Sequence, residues 1–373
     1  MSLMRASDYD EEWKLLAGLL PEGWREQARR CGAIRRSRGV SDPTTLLRLL
    51  LMHVATGLSL RQTVARAQVQ GLAAMTDVGL LGRLRGAERW LVWMTRQMFT
   101  RSRYARAARN GELARRQVRA VDATTVEEPG ATGTDWRVHL SVALPEMRCD
   151  FYALTDVSGA ETFRRVPIDA GDILLGDRGY CHREAVAWVL RRRADVVVRL
   201  NLDSFPLRTM SDKRFDILAH LRRISGFRSM GWPVQFRAGN RLHRARLCAL
   251  RKTPQAADLA KRKLEREAKK KQKQLKPETL EAAEYVFVLT TLDRAEFTVR
   301  QVLELYRARW QVELLFKRLK SLLRLGHLPK KTDASSRAWI QAKLLTALLV
   351  DDLMEAAGFF SPWGHDEARP EHE

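Results

Sequence analysis

The chain has 373 residues, 45% of them apolar, enough for two or three packed units rather than a disordered or fibrous polymer. Its 66 Lys and Arg outnumber 44 Asp and Glu, a formal charge of +22 that points to a polyanionic partner, nucleic acid first and a generally basic ribosome-like protein second. The four cysteines lack CxxC spacing, the start MSLMRASDYDEEWK lacks an apolar signal core, and runs such as LLTALLV are too short for a bilayer; a zinc ribbon, a disulfide scaffold and a membrane protein are set aside for a soluble cytoplasmic one.

Residues 1–117 read as helical. SDPTTLLRLLLMHVATG starts with Ser41 and Asp42 before Pro43 and stops at Gly57. SLRQTVARAQVQG follows, with Ser59 and Gln62 at capping-box spacing and Gly71 as a stop. TDVGLLGRLRG then offers Thr76 or Asp77 as a cap. Two short capped helices with a brief turn resemble a helix-turn-helix, and Arg25, Arg29, Arg30, Arg35, Arg36 and Arg38 surround them. DNA contact and a solvated basic face both stay open for this region.

The pattern changes near residue 118. VRAVDATTV, WRVHLSVAL and DFYALTDV read as strands, GDILLGDRGY as a buried strand ending in a turn, EAVAWVLRRR as a helix and ADVVVRL as another strand. This alternation argues for an α/β core. Residues 201–284 interrupt it with a stretch expected to be β-rich, followed by KRKLEREAKKKQKQLKP. From Lys261 to Lys276 that segment carries nine positive and two negative charges, as an exposed helix, a flexible arm or a DNA-tracking arm. EYVFVLTTL resumes the core over 285–355, and residues 356–373 form a polar tail.

The chemistry concentrates in a few places. In LYRARWQVELLFKRLKSLLRL, residues 305–325, Tyr306, Arg309, Glu313 and Lys320 stand at offsets of three, seven and fourteen. At about 100° per residue they form one polar stripe, while Leu305, Val312, Leu315 and Leu319 point to an adjacent side. Asp122 and Asp177 each lie at the end of an expected strand, where carboxylates on neighbouring parallel strands meet at one rim of a sheet. Three such carboxylates, Asp122, Asp177 and Glu313, suit Mg2+ or Mn2+ better than zinc. Each carboxylate taken singly also fits a turn cap or a surface ion pair.

The spacing Y-x2-R-x3-E-x6-K, with DATTV and GDRGY upstream, resembles the DDE transposases of bacterial insertion sequences, in the IS-four group with its YREK signature. The resemblance runs over about residues 20–350 and takes in RSRGVSDPTTLLRLLLMHVATGLSLRQT, GTDWRVHLSVAL and ELLFKRLKSLL. It implies an α/β, ribonuclease-H-like core (118–200 and 285–355), a β-rich insertion with a basic helical arm (201–284) and an all-α DNA-binding domain in front (1–117). It also implies that Asp122, Asp177 and Glu313 are catalytic and bind two Mg2+ or Mn2+ ions, with Tyr306, Arg309 and Lys320 on the phosphates. Tyr285 stands nearest to the place where family members stack a flipped base, usually on Trp. The implied partners are double-stranded DNA, as terminal inverted repeats and target, and a second copy in a homodimer on paired ends, in a nucleoid-associated, cytoplasmic setting. A repeat-binding repressor from a truncated element and a nuclease on the same core remain alternatives, the chain ending about fifty residues after Lys320.

Overall fold

The computed structural model describes residues 6–35, 39–40, 42–109, 116–130, 135–144, 148–202, 204–226, 228–270, 272, 274–310, 312–313, 317, 328–329 and 332–356. Lys320 and almost all of the polar tail lie outside these residues.

Six helices lead the chain: α1 (Ala6–Gly18), α2 (Trp24–Arg30), α3 (Pro43–Thr56), α4 (Leu60–Val69), α5 (Asp77–Gly86) and α6 (Glu88–Arg109). Their ends follow local chemistry. The Asp42 carboxylate accepts the N–H groups of Thr44 and Thr45 at 2.8 and 3.0 Å, and Gly57 closes α3 in the left-handed region at φ 70°. Ser59 and Gln62 form the capping box of α4. Thr76, not Asp77, caps α5 by accepting the Gly79 N–H at 3.0 Å. Each such cap is worth about 1 kcal/mol. The α4–α5 pair packs as expected across its short turn, and Arg25, Arg29, Arg30 and Arg35 are exposed nearby.

An eight-stranded mixed sheet follows, in the order β3-β2-β1-β4-β5-β8-β7-β6. The strands are β1 (Val118–Val126), β2 (Trp136–Leu144), β3 (Arg148–Asp156), β4 (Ile173–Gly176), β5 (Asp195–Arg199), β6 (Ser229–Ala238), β7 (Arg241–Arg251) and β8 (Tyr285–Thr290). Only β1, β4 and β5 run parallel. Helix α7 (Arg183–Leu190) makes the β4-to-β5 crossover. With α8 (Ile217–Leu221), α9 (Pro254–Lys270), α10 (Pro277–Ala282), α11 (Val299–Ala308) and α12 (Asp333–Ala356), the architecture is mixed α/β.

Within residues 201–284, the first part carries strand as one hairpin, β6–β7, which extends the main sheet through β8. The rest of the segment is loop and the short helices α8 and α10, with the longer α9 over much of the basic run. The helix there follows composition: PQAADLAKRKLEREAKK is rich in Ala, Leu, Lys, Arg and Glu, with no β-branched residue to favour a strand.

Period-two alternation divides the core between the two faces of the sheet. On β1, Ala120 and Val126 pack on one face with α2–α6, α11 and α12, while Val121 packs on the other with α7 and the inserted helices. The C-terminal helix α12 fastens the leading helices to the sheet. Its Lys343, 2% exposed, donates to the Val54 carbonyl and lies over the Trp339 ring; its Gln341 accepts from the Tyr152 hydroxyl. Among the described residues no helix is long and apolar enough to cross a membrane.

Candidate active site

Parallel register brings the two aspartates together. Val118 lies opposite Ile173 and Ala120 opposite Leu175. Carrying that register two residues further sets Asp122 level with Asp177, on the face that Ala120, Ile173 and Leu175 turn toward the helical core. Adjacent strands are about 4.8 Å apart, so the two carboxylates face one another across a single strand spacing. Each is oriented by backbone: Asp122 Oδ1 accepts the Ala123 N–H at 2.8 Å, and Asp177 Oδ1 accepts the Gly179 N–H at 2.7 Å. Asp177 thereby caps the single 3₁₀ turn Arg178–Tyr180.

Helix α11 covers this face. Thr298 and Gln301 box its start, Val302 and Leu303 bury its apolar side, and Leu305 and Tyr306 pack on the same core. It ends at Ala308, so Arg309 is a C-cap rather than mid-helix as the sequence suggests; Val312 and Glu313 are again helical. The Arg309 side chain, 14% exposed, reaches to 4.0 Å from Asp122 Oδ2 and donates from Nη2 to Glu313 Oε1 at 2.7 Å. Its guanidinium lies 5.6 Å from the Tyr306 ring centroid. Burial pushes the Tyr306 phenol up, against the pull of Arg309.

The electrostatics are those of crowded acids. Burial pushes the Asp122 carboxyl up to about 7; the Ala123 N–H and Arg309 oppose this, while the charges of Asp177 and Glu161 add to it. Glu161 is likewise pushed up by burial first and by Asp177 second. Among the described residues no three His, Cys, Asp or Glu side chains are close enough to hold a metal ion. Glu313 is turned onto Arg309 instead.

Comparison with known proteins fixes the class of this arrangement. Residues 154–349 match the family described as Transposase DDE domain. The chain is 36% identical over 349 residues to the transposase for insertion sequence element IS421 of Escherichia coli, covering 92% of this chain and 93% of that protein. It is also 36% identical over 348 residues to the InsL protein for insertion sequence element IS186A of Escherichia coli strain K12, with the same coverage of both. This chain belongs to the DDE transposases. It is a DNA-processing enzyme of an insertion sequence element.

Of the transposase's sequence-derived site residues, the structure brings Asp122, Asp177, Tyr306, Arg309 and Glu313 to one region. It does not bring Tyr285 there. That ring is 4% exposed and packs with Phe287 and Leu289 in the core on the opposite face of the sheet. Two neighbours escape the sequence reading. Glu161 lies in a loop without strand or helix periodicity, yet its carboxylate lies against the Asp177 turn: an ideal Cβ at Gly179 would stand 2.0 Å from Glu161 Oε2, so the bare glycine lets that carboxylate approach. Tyr180 is 1% exposed, its hydroxyl has no hydrogen-bond partner among the described residues, and burial followed by Asp122, Glu161 and Asp177 pushes it well up. The GDRGY motif was the available signal for Tyr180.

Proposed function

We propose that the transposase is of the IS-four group, with its two aspartates and its YREK residues forming one metal-dependent phosphodiester site. The observation that carries this is the shared level of Asp122 and Asp177 on adjacent parallel strands, with Arg309 spanning from Asp122 to Glu313. The parallel β1–β4–β5 centre with an antiparallel β1–β2–β3 edge supports a ribonuclease-H-like core, and 201–284 then stands as the segment inserted before the glutamate helix.

The donor set fits a hard divalent cation: carboxylate oxygens gathered where burial first, and the charges of Asp177 and Glu161 after it, push the Asp122 carboxyl upward. Asp122, Asp177 and Glu313 would hold Mg2+ or Mn2+, as two ions. Bound there, the cations would activate the attacking oxygen and stabilise the leaving oxygen at phosphorus.

The chain's own residues do the rest. Arg309 Nη2 donates to Glu313 Oε1 at 2.7 Å. A phosphate offers its planar fork two oxygens at once and competes for it. DNA entry therefore moves Arg309 to the phosphate and frees the Glu313 carboxylate for the aspartates. Tyr306 stands beside the guanidinium, its ring centroid 5.6 Å away, and Lys320, seven residues beyond Glu313 in the sequence, would add a point charge for the phosphates. In the first step water forms a new bond to phosphorus and the 3′ oxygen leaves as a hydroxyl. That hydroxyl then attacks a phosphodiester of target DNA, joining to the target 5′-phosphate as the target P–O3′ bond breaks and its 3′ oxygen leaves as a hydroxyl. Pairing of two terminal inverted repeats by a homodimer orders the two steps.

The test is nicking of a duplex carrying the element's terminal repeat, with Mg2+. Asp122→Asn should bind this DNA and lose nicking by at least about a hundredfold, the order of a lost electrostatic contact at a reacting centre. Nicking at the wild-type rate would overturn the assignment.

A further inference from the structure

A second charged feature lies just around the rim from the aspartates. Between the strand ends and helix α9 is a cavity of about 230 Å³, lined by Arg178, Arg199, Lys252 and Lys263 with Glu267 as the one lining carboxylate among the described residues and Phe287 among its apolar walls. Three observations say what it takes.

The first is position. Gly176 pairs with Val198, so one further step along the register sets Arg199 level with Asp177. Asp122, Asp177 and Arg199 thus follow one another along the rim, about 4.8 Å per strand. Arg199 acts on both sides: its charge is felt by Tyr306 beside the acids and by Lys252 in the cavity.

The second is the placement of α9. Ala260, Lys263, Leu264 and Glu267 line the cavity at helical spacing. Glu284 ties down the helix, binding Lys261 at 2.7 Å and Arg251 at 3.0 Å. The basic segment is therefore a wall of the cavity and not a free arm.

The third is unbalanced charge. Among the described residues Arg178, Arg199 and Lys263 have no ion-pair partner. Lys252 is half-buried, with Nζ donating to the Ala283 carbonyl at 2.6 Å, and burial followed by Arg199 pulls it down to about 8. Among the described residues four cations thus share one cavity with a single carboxylate, Glu267. At about 30 Å³ per water the cavity holds roughly seven or eight waters, room for one phosphodiester and its sugar but not for a base pair.

We propose that this cavity is a second phosphate site, in which Arg178, Arg199, Lys252 and Lys263 take one backbone phosphate of the DNA strand running past Asp177. It rests on the transposase reading of the neighbouring acids. The strand is held on both sides of the scissile bond, by Arg309 on one and by this cavity on the other. Because no base edge enters, the contact adds affinity and register without sequence preference.

The experiment uses the full chain in EDTA, so that nothing is cut, and measures anisotropy of a labelled terminal-repeat duplex over a salt series. Arg178→Ala/Lys263→Ala removes two exposed side chains and should leave the melting curve unchanged. The log–log salt slope should become shallower by about 0.9, the value for one phosphate, and equally so for an unrelated duplex. A scan of single methylphosphonates should find one linkage whose neutralisation weakens wild type but not the double variant. An unchanged slope with no such linkage overturns the proposal, and so does competition by deoxynucleoside monophosphate alone, which would make the cavity a small-anion site. Lys252→Gln gives a second reading of the same slope. The two ideas fail separately: unchanged slopes beside nicking that needs Asp122 remove only the cavity, whereas nicking by Asp122→Asn removes the catalytic reading and leaves the slopes standing.

Discussion

Arg119 tests whether the strand that presents Asp122 depends on charge buried behind it. It lies three residues before Asp122 on β1, so its side chain leaves by the opposite face, and it is 2% exposed. Its Nε stands 2.7 Å from Asp150 Oδ2 as a close charge contact, while the aligned hydrogen bonds run from Nη2 to Asp150 Oδ1 at 3.2 Å and from Nη1 to Asp172 Oδ2 at 3.0 Å. Nη1 also donates to the Pro167 carbonyl at 2.6 Å. Arg119→Met keeps the volume and strands two buried carboxylates. Breaking such a pair costs about 3–5 kcal/mol, a large part of a usual folding stability of about 5–15 kcal/mol. With an unfolding entropy of about 2.1 cal/mol/K per residue, a loss of about 4 kcal/mol lowers the melting temperature of a 373-residue cooperative unit by about 5 °C. The deficit also has a pH sign. Stripped of the guanidinium, the Asp172 carboxyl, which burial already pushes up, takes a proton in the folded chain before the unfolded one. Part of the stability lost at pH 8 therefore returns as pH falls through that raised value. Differential scanning calorimetry at pH 8 and pH 5 reads both effects. A variant melting within 1 °C of wild type at pH 8, or one losing more at pH 5, would refute this account; adding Asp150→Asn and Asp172→Asn should restore much of the loss.

Three further outcomes are expected. Arg309→Ala removes the guanidinium that holds Glu313 at 2.7 Å, so Mg2+-dependent nicking should fall by about 10–100-fold, the worth of a charge-assisted hydrogen bond of about 1.5–3 kcal/mol. Tyr285→Phe should nick ends like wild type, because the ring is buried away from the acids, whereas Tyr285→Ala should cost about 3–5 kcal/mol in urea unfolding; loss of nicking in a fully stable Tyr285→Phe protein would contradict this. His139, bonded through Nε2 to Thr155 Oγ1 at 3.0 Å, is pulled down to about 4 by burial, then by Arg165 and Arg137. It stays neutral when folded and takes a proton below about 6.5 when unfolded, so its stabilisation is complete above that value and is lost as pH falls toward 4. Melting curves of His139→Gln should show a flatter slope over that window.

What the sequence made legible here is what local physics decides. Asp42, the Ser59–Gln62 box, Gly57 and Gly71 are helix ends set by backbone chemistry within a few residues, and they stand where spacing puts them. The strands around Asp122 and Asp177 were legible for the same reason, since apolar β-branched runs leave few other structures open. The meeting of the two aspartates needs one more step, the parallel register of β4 against β1, which is set only when the chain returns from the β2–β3 edge to lie beside β1. Long-range and electrostatic placement was not legible. Tyr285 reads like any strand aromatic, and only the parity of β8 against β5 decides which face receives it. Glu161 has no periodicity to mark it and is found only through its approach to the turn at Gly179. The charge run on α9 carries the same letters whether it is a free arm or a cavity wall; the difference is made by Glu284, a single residue at the foot of β8 that pins the helix against the rim. Cutting that tether with Glu284→Gln should loosen α9 and weaken end binding without touching any of the cavity's own cations. Charge count alone would leave affinity the same or raise it, so the direction of that one change separates positioned charge from mere net charge.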